Sequence, residues 1–182
     1  VNDSITNWFF TTSEQANNNL RNVGIGEERI FFVGNTMIDT LKVNFDRLRP
    51  PALWREESLE PQQYFVLTLH RPNNVDEQEK LVAMLNAISE GTRGHKVIFP
   101  VHPRTAKMLN DFDSEWPSFV YAEPLGYLEF NYLVKNCMAV ITDSGGITEE
   151  STVMGVPCLT LRDTTERPET VTVGTNELVG TD

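Results

Sequence analysis

The chain has 182 residues, 26 of them acidic and 15 basic, giving a formal net charge of -11. With 40% apolar and 23% charged residues, it has a globular composition and enough length to bury a core without disulfides. The acidity argues against general binding to nucleic acid or an anionic membrane, which both need a basic face, and no apolar run approaches the roughly 18 residues of a membrane-spanning helix.

Residues 1–43 read as the edge of a larger unit. Trp8-Phe9-Phe10-Thr11 predicts a short strand. Thr12-Ser13-Glu14-Gln15 fits a capping box with Thr12 as cap, and the helix that follows should stop near Gly24. Arg29 to Val33 predicts a second strand, broken at Gly34. Two strands and a helix do not make a sheet covered on both faces. From Met37, apolar residues recur at helical spacing (Met37, Ile38, Leu41, Phe45, Leu48) until Pro50-Pro51. Pro50 to Gln63 lacks periodicity and predicts a linker or exposed loop. The chain starts at Val1 without Met and ends at Thr181-Asp182, which predicts a processed chain or a fragment.

Strands and helices then alternate across residues 44–182. The predicted strands are Tyr64 to Leu69, Lys96 to Val101, Ser118 to Tyr121, Met138 to Thr142 and Cys158 to Leu161. Helices are expected from Asp76, with Asp76 as cap and Leu81, Leu85 and Ile88 on the inner face; from about Arg104 to Asn110; from Gly126 to Lys135, with Leu128, Tyr132 and Leu133 inward; and from Gly146 to Met154. Near-continuous apolar strands alternating with helices predict an α/β fold, a doubly wound, Rossmann-like parallel sheet. Cys137 and Cys158 read as buried small hydrophobes. Without CxxC spacing they predict no zinc site, and sparse cysteine with no secretory signal predicts a cytoplasmic, reducing setting.

The polar residues fall directly after the strands. His70-Arg71 follows the first, His102-Pro103-Arg104 the second, Asp143-Ser144-Gly145-Gly146 the fourth and Arg162-Asp163 the fifth. Parallel strands point one way, so these residues should share the rim where open α/β sheets bind ligands. In Asp143 to Glu150 a strand turns into a helix through Gly145 and Gly146. Uncovered backbone N–H groups at a helix N-terminus suit a phosphate, and Glu149-Glu150 could accept from ribose hydroxyls. A plain strand–helix turn with Ser144 as N-cap fits the same residues. Arg167 suits a phosphate or a carboxylate, and Pro168 fits the first position of a helix. Imidazoles at His70 and His102 could donate to phosphate or shuttle a proton, while His95 reads as surface.

Taken together these motifs resemble the UDP-N-acetylglucosamine 2-epimerase family. The likeness runs through Gly34-Asn35-Thr36 with Asp39, Thr68-Leu69-His70-Arg71, Pro100-Val101-His102-Pro103, Asp143-Ser144-Gly145-Gly146 with Glu149-Glu150, Leu161 to Glu169, and Gly174-Thr175 with Val179 to Asp182. It departs from the family at Pro72-Asn73-Asn74 after the His-Arg pair, and at Leu125, where a relative has a polar contact. The resemblance implies the C-terminal half of a GT-B glycosyltransferase-type fold: residues 1–43 would be the tail of the N-terminal Rossmann-like domain and the crossover, and 44–182 the UDP-binding domain. It implies interconversion of UDP-GlcNAc and UDP-ManNAc by elimination and re-addition of UDP, with no metal and no redox cofactor.

By position, the resemblance gives the diphosphate to Ser144, Gly145 and Gly146, the ribose to Glu150, and phosphate to Arg167 and His70, with His70 the catalytic candidate. Phe130 and Leu125 would flank the uracil. Arg71 and His102 would meet a second, regulatory UDP-GlcNAc. The implied partners are UDP, UDP-N-acetylhexosamine and the N-terminal domain of the same enzyme, and the full-length protein would be a homodimer. Hydrolysing epimerases, or those acting on a modified UDP-sugar, share these motifs. A non-catalytic UDP-binding domain is the alternative from another class. The family's acid and base carboxylates belong to the first domain, so this chain is expected to be inactive alone.

Overall fold

The computed structural model describes residues 2–71, 74, 77–101, 109 and 116–181. The chain divides into two compact units, Val1–Val43 and Asn44–Asp182.

The first unit holds α1 (Asn2–Ile5), β1 (Phe9–Thr11), α2 (Glu14–Asn22) and β2 (Ile30–Phe32), with α3 (Thr36–Asn44) running to its boundary. β1 and β2 pair in parallel, Phe9 opposite Ile30 and Thr11 opposite Phe32. The cap of α2 is Ser13, one residue later than the capping box suggests. Ser13 keeps an extended backbone, and its hydroxyl accepts from the Ala16 amide at 3.2 Å. Gly24, at φ +86°, takes the left-handed turn beyond the helix end. α3 stops at Asn44 and a single 3-10 turn, Phe45–Arg47, follows, so the apolar spacing does not carry the helix as far as Pro50.

The second unit is a six-stranded parallel sheet with helices between its strands: α4 (Leu53–Glu56), β3 (Tyr64–Thr68), α5 (Gln78–Gly91), β4 (Lys96–Pro100), β5 (Phe119–Ala122), α6 (Tyr127–Asn136), β6 (Ala139–Thr142), α7 (Gly145–Met154), β7 (Cys158–Thr160), α8 (Pro168–Thr172) and β8 (Asn176–Leu178). The spatial order is β5-β4-β3-β6-β7-β8. The chain builds outward from β3 to β5, returns to lay β6 beside β3, and builds outward again to β8. That is the doubly wound arrangement expected from the alternation of strands and helices.

Side-chain alternation along each strand supplies two separate cores. Leu67, Val97, Phe99, Phe119 and Ile141 face one side with Leu81, Met84, Leu85 and Ile88 of α5. Tyr64, Val66, Ile98, Val140 and Cys158 face the other with Leu133 and Val134 of α6. Both cysteines are free and buried, and burial raises both thiol pKa values.

Several expectations need correction. The proline-rich stretch before β3 is not an exposed loop: Leu53 and Leu59 are buried in the second core. Trp54 stands edge-on to Tyr64 and Tyr132, with ring centroids 5.8 and 5.2 Å apart. On α6 the buried residues are Asn131, Leu133 and Val134, while Leu128 and Tyr132 are half-buried. The sheet has a sixth strand, β8, which the sequence does not announce because Asn176-Glu177-Leu178 lacks an apolar pattern. A buried polar chain holds it instead. Thr160 Oγ1 donates to Asn176 Oδ1 at 2.6 Å, and Asn176 Nδ2 donates to Thr170 Oγ1 at 3.2 Å. α5 begins after Glu77, which makes no side-chain cap. Asp76 and the helix expected near 104–110 fall on residues outside the described set, Leu109 aside.

Tyr64 shows what holds the second core in register. It is 1% exposed, and its hydroxyl donates to the Leu133 carbonyl at 2.7 Å. Tyr64→Phe should keep the ring packing but leave that carbonyl unpaired, at a cost of about 1–2 kcal/mol. Urea unfolding of the chain should show a lower midpoint with an unchanged slope.

Candidate functional site

The strand order reverses between β3 and β6, and open α/β sheets bind ligands at the carboxyl ends of the strands at such a point. Thr68 and Thr142 are register partners there, their hydroxyl oxygens 2.6 Å apart. His70-Arg71 and Asp143-Ser144 therefore leave the sheet side by side.

Asp143 joins the two loops. Its side chain is fully buried. Oδ2 accepts from the His70 amide at 3.1 Å, the Arg71 amide at 2.9 Å and Asn74 Nδ2 at 3.1 Å. Oδ1 lies 2.9 Å from His70 Nδ1 and 3.3 Å from the His70 amide nitrogen, which also donates to it. Arg71 Nε returns to the Asp143 carbonyl at 3.1 Å. A buried carboxylate is tolerated only when donors surround it, and here they all come from the β3 loop. His70 itself stays largely exposed on the rim.

Ser144 occupies the N-cap of α7, but its hydroxyl makes no capping bond. Its amide donates to Thr142 Oγ1 at 3.0 Å. Ser144 is thus the N-cap that a plain strand–helix turn would also give, with its hydroxyl left out of the cap. A Cβ placed on Gly145 would meet nothing closer than Glu166 Oε2 at 3.6 Å. The buried face of α7 is polar: Thr148, Glu149, Glu150 and Ser151. Glu149 Oε1 pairs with Arg167 Nε at 2.7 Å. Glu149 is therefore a carboxylate partner of the kind the sequence allows Arg167. Glu150 Oε1 accepts from the Tyr127 hydroxyl at 2.8 Å. Burial pushes the Glu150 carboxyl pKa up, against hydrogen bonds from Tyr127 and Asn131 that lower it. Burial also raises the Tyr127 pKa.

Beyond β7, Arg162 and Glu166 form a two-pronged pair at 2.8 and 2.9 Å. Glu166 Oε1 also lies 3.6 Å from Arg71 Nη2. The Glu166 carboxyl is lowered from the ordinary 4.5 to about 2, chiefly by its hydrogen bonds from Arg162. Neither Glu166 nor Tyr127 stood out in the sequence. Each is defined by a partner on another loop or helix, although Arg162 and Glu166 do carry an i, i+4 spacing. Phe130 and Leu125 are half-buried and pack against the second core. His102 and Arg104 lie outside the described residues. Among the described residues no group of His, Cys, Asp and Glu could hold a metal ion, and no helix is long and apolar enough to cross a membrane.

A family model described as UDP-N-acetylglucosamine 2-epimerase matches residues 1–182. The chain belongs to this family. The UDP-N-acetylglucosamine 2-epimerase of Methanocaldococcus jannaschii is 42% identical over 99% of the chain and 52% of its own length. The Escherichia coli K12 enzyme is 34% identical over 96% of the chain and 49% of its own length. The chain thus spans about half the length of these curated relatives. The crystal structure of the M. jannaschii epimerase with UDP-GlcNAc and UDP superposes with a TM-score of 0.84 at 42% identity, covering 99% of the chain and 52% of that structure. The S. aureus MnaA structure with UDP gives a TM-score of 0.82 at 26% identity, covering 99% and 48%. The sheet of this family member is therefore that of one half of the GT-B-like epimerase structures.

The Glu166 pairing has a pH consequence. A carboxyl whose pKa is lowered by folding stabilises the fold fully above its unfolded value, and that contribution is lost as pH falls through the folded value. The window here runs from about 4.5 down to about 2. Melting temperatures across that range should fall less steeply for Glu166→Gln than for the parent. The difference should be modest, because Glu166 is 59% exposed and solvent screens the pair.

Proposed function

We propose that residues 44–182 form the UDP-binding half of a UDP-GlcNAc 2-epimerase, with residues 1–43 contributed from the N-terminal domain and crossover. The observation that carries this reading is the meeting of two features at the sheet's reversal point. One is the His70-Arg71 loop anchored on Asp143; the other is a helix start whose Ser144 hydroxyl does not cap it. A helix N-terminus with accessible N–H groups beside an imidazole and guanidinium groups suits a diphosphate.

In this reading Ser144, Gly145 and Gly146 hold the diphosphate. Arg167 and His70 touch phosphate oxygens, and Glu150 accepts from the ribose hydroxyls. Phe130 and Leu125 border the uracil, and Arg71 with His102 meets a second UDP-GlcNAc. The reaction breaks the C1–O bond to UDP as the C2 proton leaves, then reverses on the other face of C2. The described half supplies charge neutralisation for the departing diphosphate. The base is another matter. The family resemblance gives that role to a carboxylate of the N-terminal domain, and in this half Glu149 pairs with Arg167, Glu166 with Arg162, Asp143 with the β3 loop and Glu150 with Tyr127.

Two measurements test the reading. Gly145→Ala places only a methyl group at ordinary contact distance from Glu166, and Ala is favoured over Gly within a helix. Thermal stability should hold or rise, while UDP affinity measured by calorimetry should fall about tenfold or more as the methyl crowds the phosphate. Unchanged affinity would remove the diphosphate from this turn. Separately, the purified 182-residue chain should neither make UDP-ManNAc from UDP-GlcNAc nor exchange the C2 proton with D2O, and turnover by either assay would place the base within the chain.

A further inference from the structure

The two oxygens of Asp143 do different work. Oδ2 is filled by three donors: two backbone amides and Asn74 Nδ2. Oδ1 faces His70 Nδ1 at 2.9 Å and, among the described residues, otherwise meets the longer 3.3 Å contact from the His70 amide. A buried, ionised carboxylate can only accept. At 2.9 Å two lone pairs would repel, so this close approach places a hydrogen on the imidazole nitrogen that faces the carboxylate. Neutral histidine can place its proton on either nitrogen, and the hydrogen bond made by one decides which.

We propose that Asp143 is a positioning residue that locks His70 in the Nδ1–H form, with Nε2 as its outward, working nitrogen. The lock is mechanical as well as electronic. The same carboxylate binds the His70 and Arg71 amides, so backbone and ring are fixed to one buried point. The functional consequence rests on the UDP reading above. In the locked form a neutral Nε2 has a lone pair and no hydrogen, so it cannot donate to a phosphate oxygen. A contact between Nε2 and a phosphate oxygen therefore needs a hydrogen that the locked neutral ring does not carry there.

The asymmetry of the oxygens yields a sharp variant. In Asp143→Asn the side-chain oxygen can keep the three donors now on Oδ2, which leaves the NH2 group opposite His70 Nδ1. An NH2 group donates, so Nδ1 must become the acceptor and the proton must move to Nε2. Replacing the triad aspartate of a serine protease by asparagine inverts the histidine tautomer in this way while preserving the geometry.

Long-range 1H–15N correlation spectra of the labelled chain report the tautomer of each of its three histidines, with His70→Gln identifying the His70 signals. At a pH well above the ordinary imidazole value of about 6.5, the parent should show the Nδ1–H pattern for His70. Asp143→Asn should show the reverse, with the backbone amide spectrum otherwise preserved. An Nε2–H or evenly mixed pattern in the parent overturns the lock, as does a folded Asp143→Asn with the parent's pattern. The parent measurement needs no variant, so a failure of Asp143→Asn to fold leaves the test in force. Adding UDP separates the two ideas. A UDP-dependent shift at Nε2 supports both. An Nδ1–H pattern that saturating UDP leaves untouched overturns the nucleotide role of His70 while the lock itself stands.

Discussion

The Asp143 carboxylate is the point on which the site depends. An ionised group with no solvent exposure is costly to bury, by several kcal/mol if unpaired. It becomes tolerable because the loop after β3 turns its amides and Asn74 onto it. The dependence runs both ways. The β3 loop takes its shape from Asp143, and Asp143 can sit at the end of β6 only if that loop is formed. Two strands separated in sequence by the whole β4–β5 excursion are thereby tied at their carboxyl ends, where the doubly wound order leaves a crevice. His70, Arg71 and the start of α7 inherit their positions from that tie.

Charge in this protein is organised locally, against its overall sign. The chain carries a formal charge of -11, yet the rim beyond β3, β6 and β7 gathers His70, Arg71, Arg162 and Arg167. Each guanidinium is already held by a carboxylate: Arg167 by Glu149, and Arg162 with Arg71 by Glu166. These pairs orient the guanidinium groups without exhausting them, because each offers five N–H donors and the carboxylates engage only one or two. The polar inner face of α7 belongs to the same design. Ile147 and Met154 pack this helix on the second core, and its two buried glutamates add directional bonds to Arg167 and Tyr127.

Much of the frame was legible in the sequence, because apolar runs and helical spacing report burial directly. The five strands from Tyr64 to Leu161 and the helices ending in Gly91 and Met154 follow from pattern alone. The failures share a cause. β8 is fixed by Asn176 bonding to Thr160 and Thr170, and no periodicity encodes such a bond. Leu53, Trp54 and Leu59 sit in a proline-rich stretch whose lack of pattern suggested exposure, yet each packs on the second core. On α6 the helix and the inward Leu133 were expected, but Asn131 and Val134 are buried while Leu128 and Tyr132 are only half-buried.

The site divides along the same line. By itself the sequence determined which residues follow each strand, and parallel strand direction then placed His70, Arg71, Ser144 and Arg167 on one rim. It also determined the family, since the ordered motifs span nearly the whole chain. Only the tertiary structure decided the partners: Asp143 against His70 Nδ1, Arg167 against Glu149, Arg162 against Glu166, Tyr127 against Glu150. The reason is physical. Burial is a property of single residues and leaves its mark as a local pattern. A hydrogen bond or ion pair needs two groups within about 3 Å of each other, and residues 73 positions apart, such as His70 and Asp143, meet only when the sheet brings their strands together.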